Sequence, residues 1–241
     1  MLSRKSNRYS RQYQIIQVLR DSLQLILTTQ LMPKKLSKDF FLETDVLKLS
    51  RDLLGKLLVT NFDGQRTSGI VVETEAYRAP DDWACHATKF PTTLRSKPMF
   101  TEGGRAYVYI CRGVHHLFNI TTAPEGMAHV ILIRAIEPSE GVGVMLERRG
   151  LEKLKPNLTA GPSSLAKALG INVLHNEMSL ISDETNIWFE ENNVIFQDSE
   201  IGISKRIGVE SAGVSADLEW RFFVKNNVYV SQKNYFKDKK W

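Results

Sequence analysis

The chain has 241 residues, 42% hydrophobic and 24% charged, which is enough sequence and enough apolar content for one folded domain with a core of its own. No apolar run reaches the roughly 18 residues of a membrane helix. The only two cysteines, Cys85 and Cys111, lack the spacing of a zinc site or a disulfide framework, so a reducing cytoplasm is the expected setting. The net charge of +5 and pI near 9.1 suggest nucleic acid, but residues 1–38 carry eight Lys or Arg against Asp21 alone, a net +7, while the remaining 24 basic and 26 acidic residues give −2. Basicity therefore belongs to the N-terminal segment and to a local patch, Lys89, Arg95, Lys97, Arg105 and Arg112 against Glu102.

In chain order, residues 1–38 read as a basic extension, disordered or frayed. Arg20-Asp21 interrupts its apolar stretch and argues against a secretory signal, while its composition also fits an organellar transit peptide. Thr44 is the expected cap of a helix through Leu54, with Gly55 as its stop. Leu57–Phe62, the turn Asp63-Gly64 and Arg66–Tyr77 read as a hairpin. Its return strand is unusual, because alternation places Glu73, Glu75 and Tyr77 on one face, with same-face neighbours only ~6.6 Å apart. Strands follow at Arg105–Arg112, with Tyr107, Tyr109 and Cys111 on one face, at Leu117–Thr121 and at His129–Glu137. A short helix is expected from Pro138 or Ser139 to Arg149, and another from Pro162 to the stop at Gly170. Asn192-Asn193 and Asn226-Asn227 suggest two more hairpins, 187–190 with 194–197 and 220–224 with 228–231. Residues 232–241 read as a basic tail. The fold class is α+β: one domain over 39–231 with a curved, mostly antiparallel sheet flanked by short helices.

Several residues invite a chemical role. Glu75, in the middle of an apolar strand, is costly to bury unless it is paired or used, and Arg134, which interrupts the apolar strand Val130–Ile136, is its natural partner. A structural salt bridge and a catalytic pair are both consistent with this, and the two are compatible. Tyr77, Tyr107 and Tyr109 fit a packed core or a stacking wall for a flipped base. His86 alone fits an ordinary loop histidine. Glu73, Glu75, Asp81, Asp82 and His86 contain metal-ligand types without a metal-ligand spacing, so no metal or cofactor is expected. Ser163 and Ser164, at a helix tip with free backbone N–H groups, fit a phosphate site or a plain capped helix.

The same stretches carry a family pattern: V-E-T-E-A-Y-x-x-P-x-D-x-A-x-H at 72–86, M-F at 99–100, Y-V-Y-I at 107–110, F-N-I at 118–120, L-I-R-A-I-E-P at 132–138, G-P-S at 161–163, R-I-G-V at 206–209 and W-R-F-F at 220–223. In this order they resemble the alkyladenine (3-methyladenine) DNA glycosylases of the mammalian type, over about residues 41–231. The resemblance implies a monofunctional base-excision repair enzyme that acts as a monomer on double-stranded DNA containing alkylated bases. A bacterial chain would act at the nucleoid in the cytoplasm, and nuclear or organellar placement stays open. By position, Glu75 is similar to the family's general base and Arg134 to the residue that holds that carboxylate and its water. Tyr77, His86 and Tyr109 match the walls that stack on the damaged base, with the His86 backbone as a hydrogen-bond donor to it, and Asn119 matches the position that crowds the amine of intact guanine. An alkylated purine is cationic, so electron-rich rings are expected to favour it. No lysine stands beside Glu75, which implies water as nucleophile. The family's aromatic wedge position holds Arg112, whose flat guanidinium fits a vacated base stack or a phosphate, with His115 as a neighbour sharing the role. Two other readings stay in view: a catalytically silent binder of damaged DNA, and a metal nuclease using Glu73, Glu75 and Asp81.

Overall fold

The computed structural model describes Arg20 and residues 34–231; the remainder of the expected extension and the expected tail at 232–241 lie outside the described residues. Residues 35–231 form one compact unit. Leu36 is buried, its N–H donates to the Phe189 carbonyl at 2.9 Å, and Lys35 forms a β-bridge with Glu190, so the first residues before position 38 already belong to the sheet's margin.

Two short helices, α1 (Lys38–Phe41) and α2 (Val46–Asp52), precede the sheet. The cap of α2 is Asp45 rather than the expected Thr44: its carboxylate accepts from the N–H groups of Leu47 and Lys48, satisfying two donors that the helix leaves open. The hairpin β1 (Leu57–Phe62) and β2 (Gln65–Arg78) forms as expected around Asp63-Gly64, both at positive φ. A one-turn helix α3 (His86–Lys89) leads to β3 (Ala106–Cys111), β4 (His115–Thr122) and β5 (His129–Glu140). Then come α4 (Val142–Arg149), α5 (Pro162–Leu169), β6 (Ile187–Glu190), β7 (Ile201–Ser204) and β8 (Arg221–Val224). The result is an open eight-stranded sheet, antiparallel in every pairing, with short helices around it, an α+β domain.

Strand order is β3-β4-β5-β2-β1-β6, with β8 pairing both β2 and β7. The 14-residue β2 changes neighbour along its length. Its first half pairs with β1, from Gln65 opposite Phe62 to Ile70 opposite Leu57, and its second half pairs with β8, Glu73 opposite Phe223 and Glu75 opposite Arg221. The change coincides with register shifts against β5 on either side of Glu73, so that Arg134 falls between the pairs Glu73–Ala135 and Thr74–Ile133. One face of the central strands packs the core, including Val71, Ala76, Phe118, Ile120, Ile131 and Ile133, against which Leu165, Ala168 and Leu169 of α5 are buried. Val130, Leu132 and Arg134, two residues apart on β5, face the other way.

Three further expectations fail, each for a local reason. β5 runs through Pro138 to Glu140, because proline is tolerated where Gly69–Pro138 pair beside a register shift. The helix starts only after Gly141, at φ 67, where a Cβ would lie 2.3 Å from the Arg66 carbonyl oxygen. The stretches 194–197 and 228–231 are not strands: β6 pairs with β1 instead, and β8 with β2 and β7. Asparagine pairs mark turns, but a turn does not dictate a hairpin when a more apolar strand offers an edge.

The segment after β7 closes over the end of β2 through Arg206. Its guanidinium donates to both Asp82 oxygens, at 2.6 and 2.8 Å, and to the carbonyls of Ala76 and Ser215 at 2.8 and 2.9 Å, and both side chains of the ion pair are fully buried. Removing one partner of such a pair leaves an uncompensated buried charge, which costs about 3–5 kcal/mol. Asp82→Asn is therefore expected to lower the urea-unfolding free energy by about that amount, with an unchanged m-value; a loss under about 1 kcal/mol would show that water reaches Arg206.

Candidate active site

The face of the sheet opposite the core lines a cavity of about 940 Å³. Tyr77 from β2, Tyr107, Tyr109 and Cys111 from β3, Leu117 and Asn119 from β4, and Leu132 and Arg134 from β5 all reach it because strand alternation presents every second residue to this side. His86 enters from α3, and Ile207, Val209 and Ser231 close the far side.

Glu75 lies directly behind this wall. It is fully buried and both its oxygens are engaged: Oε1 accepts from the Ile207 N–H at 2.7 Å, and Oε2 accepts from the Tyr77 hydroxyl at 2.8 Å and lies 3.2 Å from an Arg134 nitrogen. All three partners line the cavity. Arg134 is shared. Its Nε donates to Glu73 at 2.8 Å, so one guanidinium bridges the two carboxylates that stand on the same face of β2. Glu73 also accepts from Arg221 Nε at 2.7 Å and from the N–H and hydroxyl of Ser231, each at 2.7 Å. Burial raises the Glu73 pKa, yet Arg134, Arg221 and Ser231 together hold it below the ordinary carboxylate value. Burial likewise works against the charge of Arg134, but Glu75 and Glu73 outweigh it and hold the guanidinium above its ordinary value.

The aromatic side of the cavity is a contiguous cluster. His86 and Tyr109 meet edge to face at 4.9 Å, Tyr107 and Tyr109 lie 5.4 Å apart, and His86 Nδ1 is hydrogen-bonded to the Tyr107 hydroxyl at 2.8 Å. Burial, with Arg95 and Lys89 adding like charge, pushes the His86 pKa down to about 4, so the ring is neutral at physiological pH. Burial pushes Tyr109 up to about 12, and Tyr77 is raised well above its usual value by burial and then by Glu75. Both rings stay protonated. The Asn119 side chain is locked by donation from Nδ2 to the Tyr107 carbonyl at 3.0 Å. The N–H of His86 is the first of α3, where helix geometry leaves it without an intrahelical acceptor.

Arg112, on the turn joining β3 to β4, and His115, the first residue of β4, also line the cavity. Arg112 and Gly113 are both at positive φ, 51 and 76, and the Val114 N–H donates to Cys111, which projects an exposed tip beyond the sheet. Ser163 and Ser164 also line the cavity, but their hydroxyls already have protein partners, His115 Nδ1 at 3.1 Å and Arg149 at 3.2 Å.

The carboxylates that a metal-centred reading requires are taken by arginines: Glu73 by Arg134 and Arg221, Glu75 by Arg134, Asp82 by Arg206, and Asp81 by Arg78 at 2.7 and 3.1 Å. Among the described residues no group of three or more His, Cys, Asp or Glu side chains converges as a metal site. Nor does any described helix have the length and apolarity to cross a membrane.

The site also contains residues that the expectations did not include. Arg206, Ile207, Arg221 and Ser231 arrive from sequence more than 100 residues after β2. Arg221 carries the signal that marked Arg134, an arginine interrupting an apolar strand, here in W-R-F-F-V. For the Ile207 N–H no such signal exists, because a backbone donor has no side-chain pattern, and a serine such as Ser231 is too common in loops to carry one.

The comparisons agree in extent with this fold. Residues 39–228 match the family model described as Methylpurine-DNA glycosylase. Chains from Chlamydia felis (43% identical over 199 residues, 82% of this chain and 99% of the relative), Chlamydia abortus (44% over 190, 78% and 97%) and Clostridium perfringens strain SM101 (39% over 206, 83% and 100%) are each named "Putative 3-methyladenine DNA glycosylase". These relatives are bacterial, so they give no support to the narrower mammalian-type label. A family model spanning the whole of the described sheet, together with relatives covered almost end to end, shows that the chain belongs to the methylpurine-DNA glycosylase family of DNA-repair enzymes.

Proposed function

We propose that this member of the family flips a modified purine, such as 3-methyladenine, out of duplex DNA into the aromatic cavity and hydrolyses its N-glycosidic bond with a water activated by Glu75. The observation that carries this reading is the placement of a buried carboxylate, held by Tyr77, Arg134 and the Ile207 N–H, immediately behind a cavity of nucleoside-accepting size with a cluster of aromatic rings on one side. Bond cleavage builds positive charge on the sugar, and a fixed carboxylate stabilises that charge while its free lone pairs accept a proton from the attacking water. Arg134, the Tyr77 hydroxyl and the Ile207 N–H together hold the acid in its orientation. No lysine amine is among Glu75's partners, which favours water over imine chemistry.

In this reading Tyr77, Tyr109 and His86 hold the flipped base, and the α3 N–H of His86 donates to it. Asn119, unable to swing away, rejects the exocyclic amine of guanine. Arg112, with His115 beside it, fills the space that the flipped nucleotide leaves, and the cavity-lining Lys89 and Lys155 contact the phosphates. The protein acts as a monomer, on nucleoid DNA of a bacterial cytoplasm. Nothing in the donor set favours a metal nuclease, whose carboxylates would first have to leave their arginines.

Glu75→Gln keeps the shape and removes the base, so single-turnover release of 3-methyladenine from duplex DNA is expected to fall about 10²–10⁴-fold, with wild-type release unaffected by EDTA. Full activity of the variant, or loss of wild-type activity with chelator, would overturn the mechanism. Arg112→Ala is expected to weaken binding to lesion duplex by several-fold while cleavage of the same lesion in single-stranded DNA changes less, since only the duplex has a stack to fill. Equal losses on the two substrates would remove Arg112 from the wedge role.

A further inference from the structure

Of the groups that hold Glu75, Arg134 is tied to Glu73, while the Tyr77 hydroxyl and the Ile207 N–H meet at Arg206. The Arg206 side chain is fully buried and lies behind the cavity wall. Its guanidinium donates to both oxygens of Asp82 and to the carbonyl of Ala76, the residue between Glu75 and Tyr77 on β2. The same flat group lies 4.6 Å from the centroid of the Tyr77 ring and 5.1 Å from that of Trp220, whose carbonyl accepts from the Ala76 N–H at 2.9 Å. Ala76 is therefore gripped through both its backbone groups, and the Tyr77 ring is backed by a cation that a buried carboxylate fixes in place. Along the chain, Arg206 is joined to Ile207, which donates to Glu75 Oε1 at 2.7 Å, and Gly208, Val209, Ser211 and Ala212 continue the cavity wall. The far end of that wall is tied back as well: Arg206 donates to the Ser215 carbonyl, and the Ser215 hydroxyl accepts from the Trp83 N–H.

Stability alone gives no reason for charges at this place, because apolar side chains of similar volume often serve a buried site as well as an ion pair does. What an apolar pair cannot do is fix two donors on one carboxylate. We propose, building on the base-release reading above, that Arg206, locked by Asp82, is a positioning residue for bond cleavage: it places the Tyr77 hydroxyl and the Ile207 N–H on Glu75. The carboxylate then has two supports that enter from different parts of the chain, Glu73 acting through Arg134 and Asp82 acting through Arg206. Arg206 acts through Glu75 and does not itself meet the substrate.

The test measures single-turnover release of 3-methyladenine at saturating protein, and the Kd for the same lesion duplex. The proteins are the wild type, Arg206→Lys, Glu75→Gln and the double variant of these two, with each rate divided by the folded fraction from urea titration. Lysine keeps a cation opposite Asp82 but loses the fork that reaches Asp82 and Ala76 together and the flat face behind Tyr77. Arg206→Lys is expected to slow release about 10²-fold while Kd stays within about twofold of wild type. In the Glu75→Gln background it is expected to add less than about twofold, since a residue acting through Glu75 has nothing left to place. Asp82→Leu with Arg206→Met removes both charges together; it is expected to regain the stability that a single substitution loses and to stay about as slow as Arg206→Lys. An unchanged rate in Arg206→Lys, a loss that multiplies with that of Glu75→Gln, a matching rise in Kd, or full rate in the charge-free pair overturns the proposal. Glu75→Gln as fast as wild type instead overturns the base-release reading on which it rests.

Discussion

The site depends on one guanidinium shared between two buried carboxylates. Glu73 and Glu75 stand on the same face of one strand with no exposure to water, and two like charges that close cannot remain ionised without compensation. Arg134 supplies it, donating to Glu73 at 2.8 Å and lying 3.2 Å from Glu75, and Arg221 completes the balance at Glu73. The backbone makes this sharing geometrically available: the register shifts around Glu73 leave Arg134 between two strand pairs, and β2 at that point exchanges β1 for β8, which delivers Arg221. The irregular stretch of an otherwise regular strand is thus the stretch that carries the charges, a common place for a bulge to re-aim side chains.

Around this centre the cavity divides its electrostatics. On the Glu75 side three arginines, Arg134, Arg206 and Arg221, are each paired and balanced by three carboxylates, Glu73, Glu75 and Asp82. On the Tyr109 side, by contrast, Arg95 and Lys89 line the wall beside a neutral histidine. Two of the rings on this face already carry an arginine over them, Tyr109 with Arg95 and Tyr77 with Arg206.

Much of this was legible in the residues. Strand alternation placed Glu73, Glu75 and Tyr77 together, and an arginine inside V-I-L-I-R-A-I pointed to their partner, because burial makes a lone charge expensive and so makes it conspicuous. β1 to β5 and α5 followed from turn chemistry and capping. What could not be read were contacts made by the last quarter of the chain. β7 is a four-residue strand, β8 pairs with two strands instead of folding back on 228–231, and the Ile207 N–H reaches Glu75 across 132 residues of sequence. Asn226-Asn227 and Asn192-Asn193 suggested local hairpins, and the long-range sheet edges won because they bury more apolar surface than an isolated two-stranded ribbon.

The claim that Glu73, Arg134 and Glu75 act as one unit is tested most directly by a double-mutant cycle on single-turnover base release with Glu73→Gln, Arg134→Met and the double variant, checked for folding by urea titration. If Arg134 orients Glu75 and Glu73 acts through Arg134, the double variant will be about as slow as Arg134→Met alone, a strongly non-additive cycle. Rate losses that simply multiply would contradict the account and make Glu73 and Arg134 independent contributors.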